Sequence, residues 1–240
     1  GAYRRLAGVY ARLGQSSVAI EECELADKTD PDTSQLAQAS ALAAKADIWI
    51  NAHRYDQARP LLEGALQKLP GNWQYPFSLT MAFLEAEAGN LKVAEQRYLE
   101  LQAMTEEQGR LKVYETGLNY LKGLIAREKG DYATAITAFE KSGEQNKSNP
   151  LAYRVDLAKA YFKNGDHAGA RSALSPLLAR NANDVEALLL LVDLAIAEKD
   201  PDAADKNLVA VKSLLANADD DFYLLQEIKE KEAVVQKLQK

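Results

Sequence analysis

The sequence has few of the residues that build catalytic, metal-binding or membrane-spanning sites. It contains one cysteine, Cys23, and two histidines, His53 and His167, in 240 residues. A single cysteine excludes an internal disulfide and a cysteine-ligated metal site. No run of about 18 apolar residues is present, so no segment is predicted to insert into a membrane. HExxH, paired-cysteine, phosphate-loop and GxSxG motifs are also missing, and we therefore expect no catalysis, no cofactor and no metal.

Positive charge is outweighed by negative charge. The chain has 29 Lys and Arg against 35 Asp and Glu, and its net charge is -6. No basic cluster offsets this balance, so nucleic acid is not expected as a partner. The low cysteine content is compatible with a reducing compartment and favours the cytoplasm, with the periplasm as the alternative if a leader was removed. The chain begins at Gly1 rather than at a methionine, so we expect it to be a fragment of a longer protein.

A short motif recurs along the chain. Residues 130–139 read GDYATAITAF and residues 165–174 read GDHAGARSAL, in nearly the same frame. Six alanines, here called the marker alanines, stand in this setting: Ala19, Ala58, Ala94, Ala135, Ala170 and Ala204. Their spacings are 39, 36, 41, 35 and 34 residues. Such a period predicts a protein built from repeated structural units.

Each unit is predicted to be two helices joined by a tight turn. Apolar residues are spaced three and four apart on both sides of the turn, which is the helical period. Gly130 suits the left-handed turn that ends one helix, and Asp131 can cap the next. Ala135 is small because two helix axes come close there. The predicted helices span 2–13, 16–28, 34–51, 55–68, 74–88, 91–104, 108–129, 132–144, 151–164, 167–180, 185–198, 202–215 and 220–238.

The first repeat carries the consensus of a known family at Tyr3, Leu6, Ala7, Tyr10, Gly14, Ala19, Ala26 and Pro31. Over nearly its whole length the chain resembles the tetratricopeptide repeat (TPR) family. Repeat three departs from the family pattern with Glu85 in place of a large apolar residue, and repeat six has Lys199 in place of glycine. The alanine-rich, compact repeats look bacterial.

The resemblance implies an all-α fold. We expect a right-handed superhelical solenoid of about six helix-turn-helix repeats in a single domain over 1–240, closed by a C-terminal capping helix. The expected repeats and the cap are 1–32, 33–71, 72–106, 107–149, 150–183, 184–217 and 220–238. The acidic turn Asp219–Asp221 is expected to cap a helix rather than bind metal, and Cys23 is expected to be a buried, inert thiol.

The resemblance also implies a non-catalytic scaffold that binds a peptide or helix of a protein partner in a concave groove lined by first helices. The family's groove places, carried over to this sequence, give these candidates: Arg4, Asp47, Leu79, Phe83, Tyr120, Leu124, Arg127 and Lys159. The apolar candidates form a stripe with Arg127 and Lys159 beside it, which suits an amphipathic helix or an apolar peptide of acidic character. A core between repeats is the other interpretation of the same apolar residues, and the sequence leaves both open.

The same residues bear on other functions. The family's clamp for chaperone C-termini needs asparagines where this chain has Gly8 and Ala44, so chaperone tails are not expected as ligands. Self-association through the C-terminal helix or the first repeat is one alternative. A regulatory or substrate-recruiting arm of an enzyme whose catalytic domain lies upstream is another.

Overall fold

The computed structural model describes residues 2–29, 34–107, 109, 111–146, 151 and 153–239. The consensus Pro31 and the predicted start of the seventh helix, residue 108, lie outside these residues. Within the described residues there are thirteen α-helices and no strand. They are α1 (Ala2–Arg12), α2 (Ser16–Thr29), α3 (Gln35–Asn51), α4 (Tyr55–Gln67), α5 (Tyr75–Glu87), α6 (Leu91–Glu107), α7 (Leu111–Glu128), α8 (Tyr132–Gln145), α9 (Arg154–Lys163), α10 (His167–Arg180), α11 (Val185–Ala197), α12 (Pro201–Leu214) and α13 (Leu224–Leu238).

The first twelve helices form six hairpins, numbered one (α1–α2) to six (α11–α12), as the repeat predicts. The all-α class is confirmed. All six residues at the predicted turn position have a positive φ: Gly14 (72°), His53 (56°), Gly89 (76°), Gly130 (78°), Gly165 (82°) and Lys199 (58°). Glycine adopts this left-handed conformation without strain, whereas His53 and Lys199 adopt it at a cost of about 1 kcal/mol.

Aspartates cap the second helices of hairpins four to six. An Oδ1 atom of Asp131, Asp166 and Asp200 accepts a hydrogen bond from the backbone N–H three residues further on, at 3.1, 2.7 and 3.0 Å. The cap predicted at Asp131 is therefore confirmed. These three hairpins satisfy a free donor at the start of their second helix with their own side chain.

The core lies where the two helices of each hairpin meet. All six marker alanines are fully buried, as a close approach of helix axes requires. Gly123 of α7 shows how close the approach is, because a Cβ at this residue would lie 2.5 Å from the Phe139 ring of α8. Small residues at these positions let the hairpins close.

The chain divides into two compact units, residues 1–107 with 217–223 and residues 108–216 with 224–240. In the first unit hairpins one to three stack in chain order, with α2 against α3 and α4 against α5. In the second unit hairpins four to six stack in the same way, and α13 packs against α12 and α11. No helix in the described part of the chain combines the length and the apolar composition that a membrane crossing requires.

The last helix begins later than predicted, at Leu224 rather than at residue 220. Asp219 does not cap this helix. Its Oδ2 atom instead accepts a hydrogen bond from the backbone N–H of Ser17, at the start of α2, at 3.0 Å. Asp221 forms an ion pair with Arg54. The helical period of the sequence predicts the apolar face of α13. It cannot predict that Asp219 pairs with Ser17, which lies 202 residues away in the sequence.

Candidate functional site

A pocket of about 700 Å³ lies in the second unit. Its walls come mainly from α7, α9 and α11, the first helices of hairpins four to six, and from α13. Phe162 is half-buried and supplies apolar surface, whereas Leu189 and Leu190 are each only 4% exposed, and charged side chains surround all three. α13 therefore contributes to this pocket as the first helix of a further hairpin would.

Asp156 of α9 holds two side chains of α7 in place. The Tyr120 hydroxyl donates a hydrogen bond to Asp156 Oδ2 at 2.5 Å, and the Arg127 guanidinium donates to Asp156 Oδ1. The side chains of Arg127 and Asp156 are only 13% and 15% exposed. Because water screens this pair less than a surface pair, it fixes the guanidinium firmly at the pocket wall.

Two further ion pairs continue along the pocket. Lys159 of α9 donates to Glu186 of α11 at 2.6 Å, and Lys231 of α13 pairs with Asp193 of α11. Burial by itself lowers the pKa of Lys159, but the neighbouring carboxylates of Glu186 and Asp156 outweigh it and the pKa is raised. Lys159 therefore keeps its charge at neutral pH.

Of the eight predicted groove residues, four lie in the second unit. Arg127 and Lys159 line the pocket. Tyr120 does not line it, but donates a hydrogen bond to Asp156, the partner of Arg127. Leu124 is only 1% exposed and belongs to the core of hairpin four. This burial agrees with the core interpretation of Leu124, because so small an accessible surface leaves little for a partner to contact.

The other four predicted residues lie on α1, α3 and α5, the first helices of the first unit. Arg4 is tied to Asp27 of α2 at 3.2 Å. Asp47 is accessible to solvent, and desolvation by the surrounding protein nevertheless raises its pKa to about 6. Leu79 and Phe83 are half-buried on α5, and each retains some accessible surface.

Sequence reasoning missed Asp156, Glu186 and Lys231. A signal for them exists, because each is paired with an opposite charge close to one repeat away in sequence. The separations are 29 residues for Asp156, 27 for Glu186 and 38 for Lys231. Oppositely charged residues that lie about one repeat apart, on successive first helices, thus predict such ion pairs.

Cys23, the one cysteine of the sequence, lies in α2. Cys23 is buried, and burial raises the pKa of its thiol, which disfavours the nucleophilic thiolate. Among the residues described, no three His, Cys, Asp or Glu side chains are grouped so as to hold a metal ion.

The chain is similar to a known protein family in sequence and to known structures in fold. Residues 126–187 match the family model of the tetratricopeptide repeat. A chain in the crystal structure of the APC/C hetero-tetramer Cut9–Hcn1 has the same fold, with a TM-score of 0.61 at 19% identity over 99% of this chain and 42% of that chain. Residues 126–187 therefore form a tetratricopeptide repeat segment within a TPR-like all-α fold. The chain spans about two fifths of the length of the Cut9–Hcn1 chain that it matches.

Two other crystal structures have a fold similar to that of this chain. BtubC (BKLC) from P. vanneervenii has a TM-score of 0.55 at 15% identity. The match covers 87% of the chain described here and 91% of the BtubC chain. PilW, a type IV pilus biogenesis factor, has a TM-score of 0.52 at 18% identity. The match covers 94% of this chain and 97% of the PilW chain. No curated protein sequence matches the chain. At these identities the likeness concerns the fold, and TPR folds generally serve as non-catalytic scaffolds for protein–protein interactions.

Proposed function

We propose that this protein is a scaffold whose second unit binds a short segment of a protein partner. The segment lies in the pocket formed by α7, α9, α11 and α13. The observation that carries the proposal is that Arg127, Lys159 and Phe162 line one pocket of about 700 Å³. That volume accommodates a few side chains of an extended peptide or one face of a helix.

The lining of the pocket defines the chemistry of the segment. Five lining residues are cationic and four are anionic, and they surround the apolar side chains of Phe162, Leu189 and Leu190. An aliphatic or aromatic side chain of the partner packs on Phe162, and a flanking carboxylate approaches Lys159 and Lys163. The preferred ligand is thus an apolar segment with acidic residues beside it.

The pocket is organised before the partner arrives. Arg127 is held by Asp156, and Lys159 is held by Glu186 at 2.6 Å. Long cationic side chains lose rotamer freedom when they bind a ligand, and this cost is smaller when existing ion pairs already restrict them. The same ion pairs weaken the attraction for a carboxylate, so apolar contact with Phe162 supplies much of the affinity.

In the first unit we propose a similar role for Leu79 and Phe83 of α5. Both side chains are half-buried and keep accessible surface on a first helix. Arg4 and Asp47 lie on first helices of the same unit and are proposed as polar contacts.

Peptide display tests the proposal for the second unit. Peptides are selected on the wild-type chain, and their dissociation constants are measured by calorimetry against Lys159→Glu and Lys141→Glu. We expect selected peptides to combine acidic and apolar residues and to bind Lys159→Glu at least about tenfold more weakly.

Lys141→Glu is the matched control. It makes the same charge change on α8, where Lys141 pairs with Glu115 and does not line this pocket. Its affinity for the selected peptides should stay within about twofold of wild type. Equal losses in both variants would mean that net charge, and not this pocket, governs binding.

A further inference from the structure

Residues 217–223, here called the resident segment, are seated on the turns of hairpins one and two. Asp219 forms hydrogen bonds with the first turn through both its backbone and its side chain. Its backbone N–H donates to Gly14 O at 2.9 Å, and its Oδ2 accepts from the Ser17 N–H at 3.0 Å and from the Ser17 hydroxyl at 3.3 Å. Asp221 pairs with Arg54 in the second turn. All these residues belong to the first unit.

The two turns lack the acidic cap found in hairpins four to six. Gln15 precedes α2, and α2 has no acidic residue in its first turn. Arg54 precedes α4 and makes no side-chain cap, and the acidic residue in the first turn of α4, Asp56, pairs with Arg59. The resident segment brings an acid to each place, with Asp219 at the start of α2 and Asp221 at Arg54. These turns are therefore complementary to two acidic residues separated by one residue.

The turn residues also match the aromatic part of the segment. Phe222 lies so close to Gly14 that a Cβ there would come within 2.5 Å of the ring. By contrast, a Cβ at Gly89, Gly130 or Gly165 would meet nothing within 4 Å. His53 stands in a glycine position and stacks on Tyr223, with 3.7 Å between ring centroids and 12° between planes.

The contacts are of the size and type that a short peptide ligand makes. Phe222 is buried at 6% exposure, whereas Asp221 is 66% exposed in its ion pair. The segment makes four contacts that recur in peptide recognition. They are a buried aromatic ring, a carboxylate on a helix N-terminus, a surface ion pair and a ring stack. A pocket of about 670 Å³ lined by His53, Arg54 and Asp221 leaves room beside the segment.

We propose that the turn surface formed by Gly14, Ser17, His53 and Arg54 is a recognition site for a partner segment of the form Asp-x-Asp-aromatic-aromatic, and that Asp219 to Tyr223 are its resident occupant. A partner segment of this chemistry binds by displacing the resident segment. The site shares no residue with the pocket of the second unit, and the proposal does not depend on the function of that pocket.

A peptide supplied in trans tests the proposal. The host is the full chain with Asp219→Ala and Phe222→Ala, and its folding is checked by circular dichroism and cooperative unfolding. The probe is a fluorescein-labelled peptide of residues 217–223, followed by anisotropy. We expect saturable binding to the host at least about tenfold tighter than to wild type, in which the resident segment competes.

Two glycine variants in the same host locate the bound peptide. Both residues have a positive φ, so alanine strains both turns alike. Gly14→Ala should abolish binding because its Cβ occupies the place of the phenylalanine ring, whereas Gly130→Ala should leave binding unchanged. Equal loss in the two variants would overturn the assignment of the site.

Three further outcomes would overturn the proposal. The first is no binding to a folded host at peptide concentrations up to about 1 mM. The second is equal affinity for host and wild type. The third concerns folding: Asp219→Ala alone serves as a milder host, and if both hosts lose cooperative unfolding, the segment is an integral part of the fold and not an exchangeable occupant.

Discussion

Arg59 of α4 and Glu85 of α5 form a bidentate ion pair between hairpins two and three. Arg59 Nε lies 3.0 Å from Glu85 Oε1, and Arg59 Nη2 lies 3.0 Å from Oε2. Asn90 donates a further hydrogen bond to Oε2 at 2.7 Å. The Glu85 side chain is only 6% exposed. The departure of repeat three from the family pattern is thus a buried carboxylate that is paired with the more exposed Arg59 and Asn90.

We predict that Glu85→Gln destabilises the protein in a pH-dependent way. Burial by itself raises the pKa of Glu85, but the hydrogen bonds from Arg59 and Asn90 and the Arg59 charge outweigh it, and the pKa falls below its ordinary 4.5. Because the folded-state pKa lies below the unfolded one, the stabilisation is present above pH 4.5 and is lost as the pH falls through the folded-state pKa. The variant should lose about 1–3 kcal/mol at neutral pH.

Urea unfolding at several pH values measures this difference, which should shrink as the pH falls below 4.5. Glu198→Gln is the control, since Glu198 pairs with Arg171 at the surface, where the side chains are 39% and 43% exposed. It should cost no more than about 1 kcal/mol. A constant difference between Glu85→Gln and wild type at every pH would contradict the prediction.

Gly123→Ala should destabilise hairpin four although alanine favours helix. The new Cβ would lie 2.5 Å from the Phe139 ring, and Phe139 is fully buried and cannot move aside freely. Overpacking of this kind costs about 1–3 kcal/mol and outweighs the gain of about 1 kcal/mol in helix propensity. Thermal unfolding of the variant measures the net change.

Gly8→Ala provides the comparison, because Gly8 lies inside α1 and its Cβ would meet nothing within 4 Å. This variant should be about 0.5–1 kcal/mol more stable than wild type. If both variants proved stabilising, the contact between α7 and α8 would be looser than described.

His53→Gly and Lys199→Gly should differ, although both relieve a left-handed backbone. His53 has a φ of 56° and Lys199 a φ of 58°. Lys199→Gly should stabilise the protein by about 1 kcal/mol. His53→Gly also loses the stack on Tyr223, which offsets about 0.5–1.5 kcal/mol of that gain. Parallel denaturant titrations provide the comparison, and an equal gain in both variants would show that the ring stack contributes no stability.

Two of the groove residues expected from the family resemblance lie together in one pocket. Arg127 and Lys159, carried over from the family's groove places, line the pocket of the second unit. Leu124 was open to two interpretations, because an apolar residue on a first helix has the same period whether it faces a groove or a neighbouring helix. Its near-complete burial comes from the packing of α7 in the second unit.

The sequence by itself determined the hairpins of this protein. Helix period, the six turn positions with positive φ and the six buried marker alanines all follow from interactions within one repeat, and local pattern records them. Only the tertiary structure decided which side chains meet across longer separations. Asp219 caps a helix 202 residues away, and Asp156 joins Arg127 across 29 residues. A carboxylate accepts a hydrogen bond from any donor that the fold brings near, so its partner is fixed by position in space and not by its sequence neighbours.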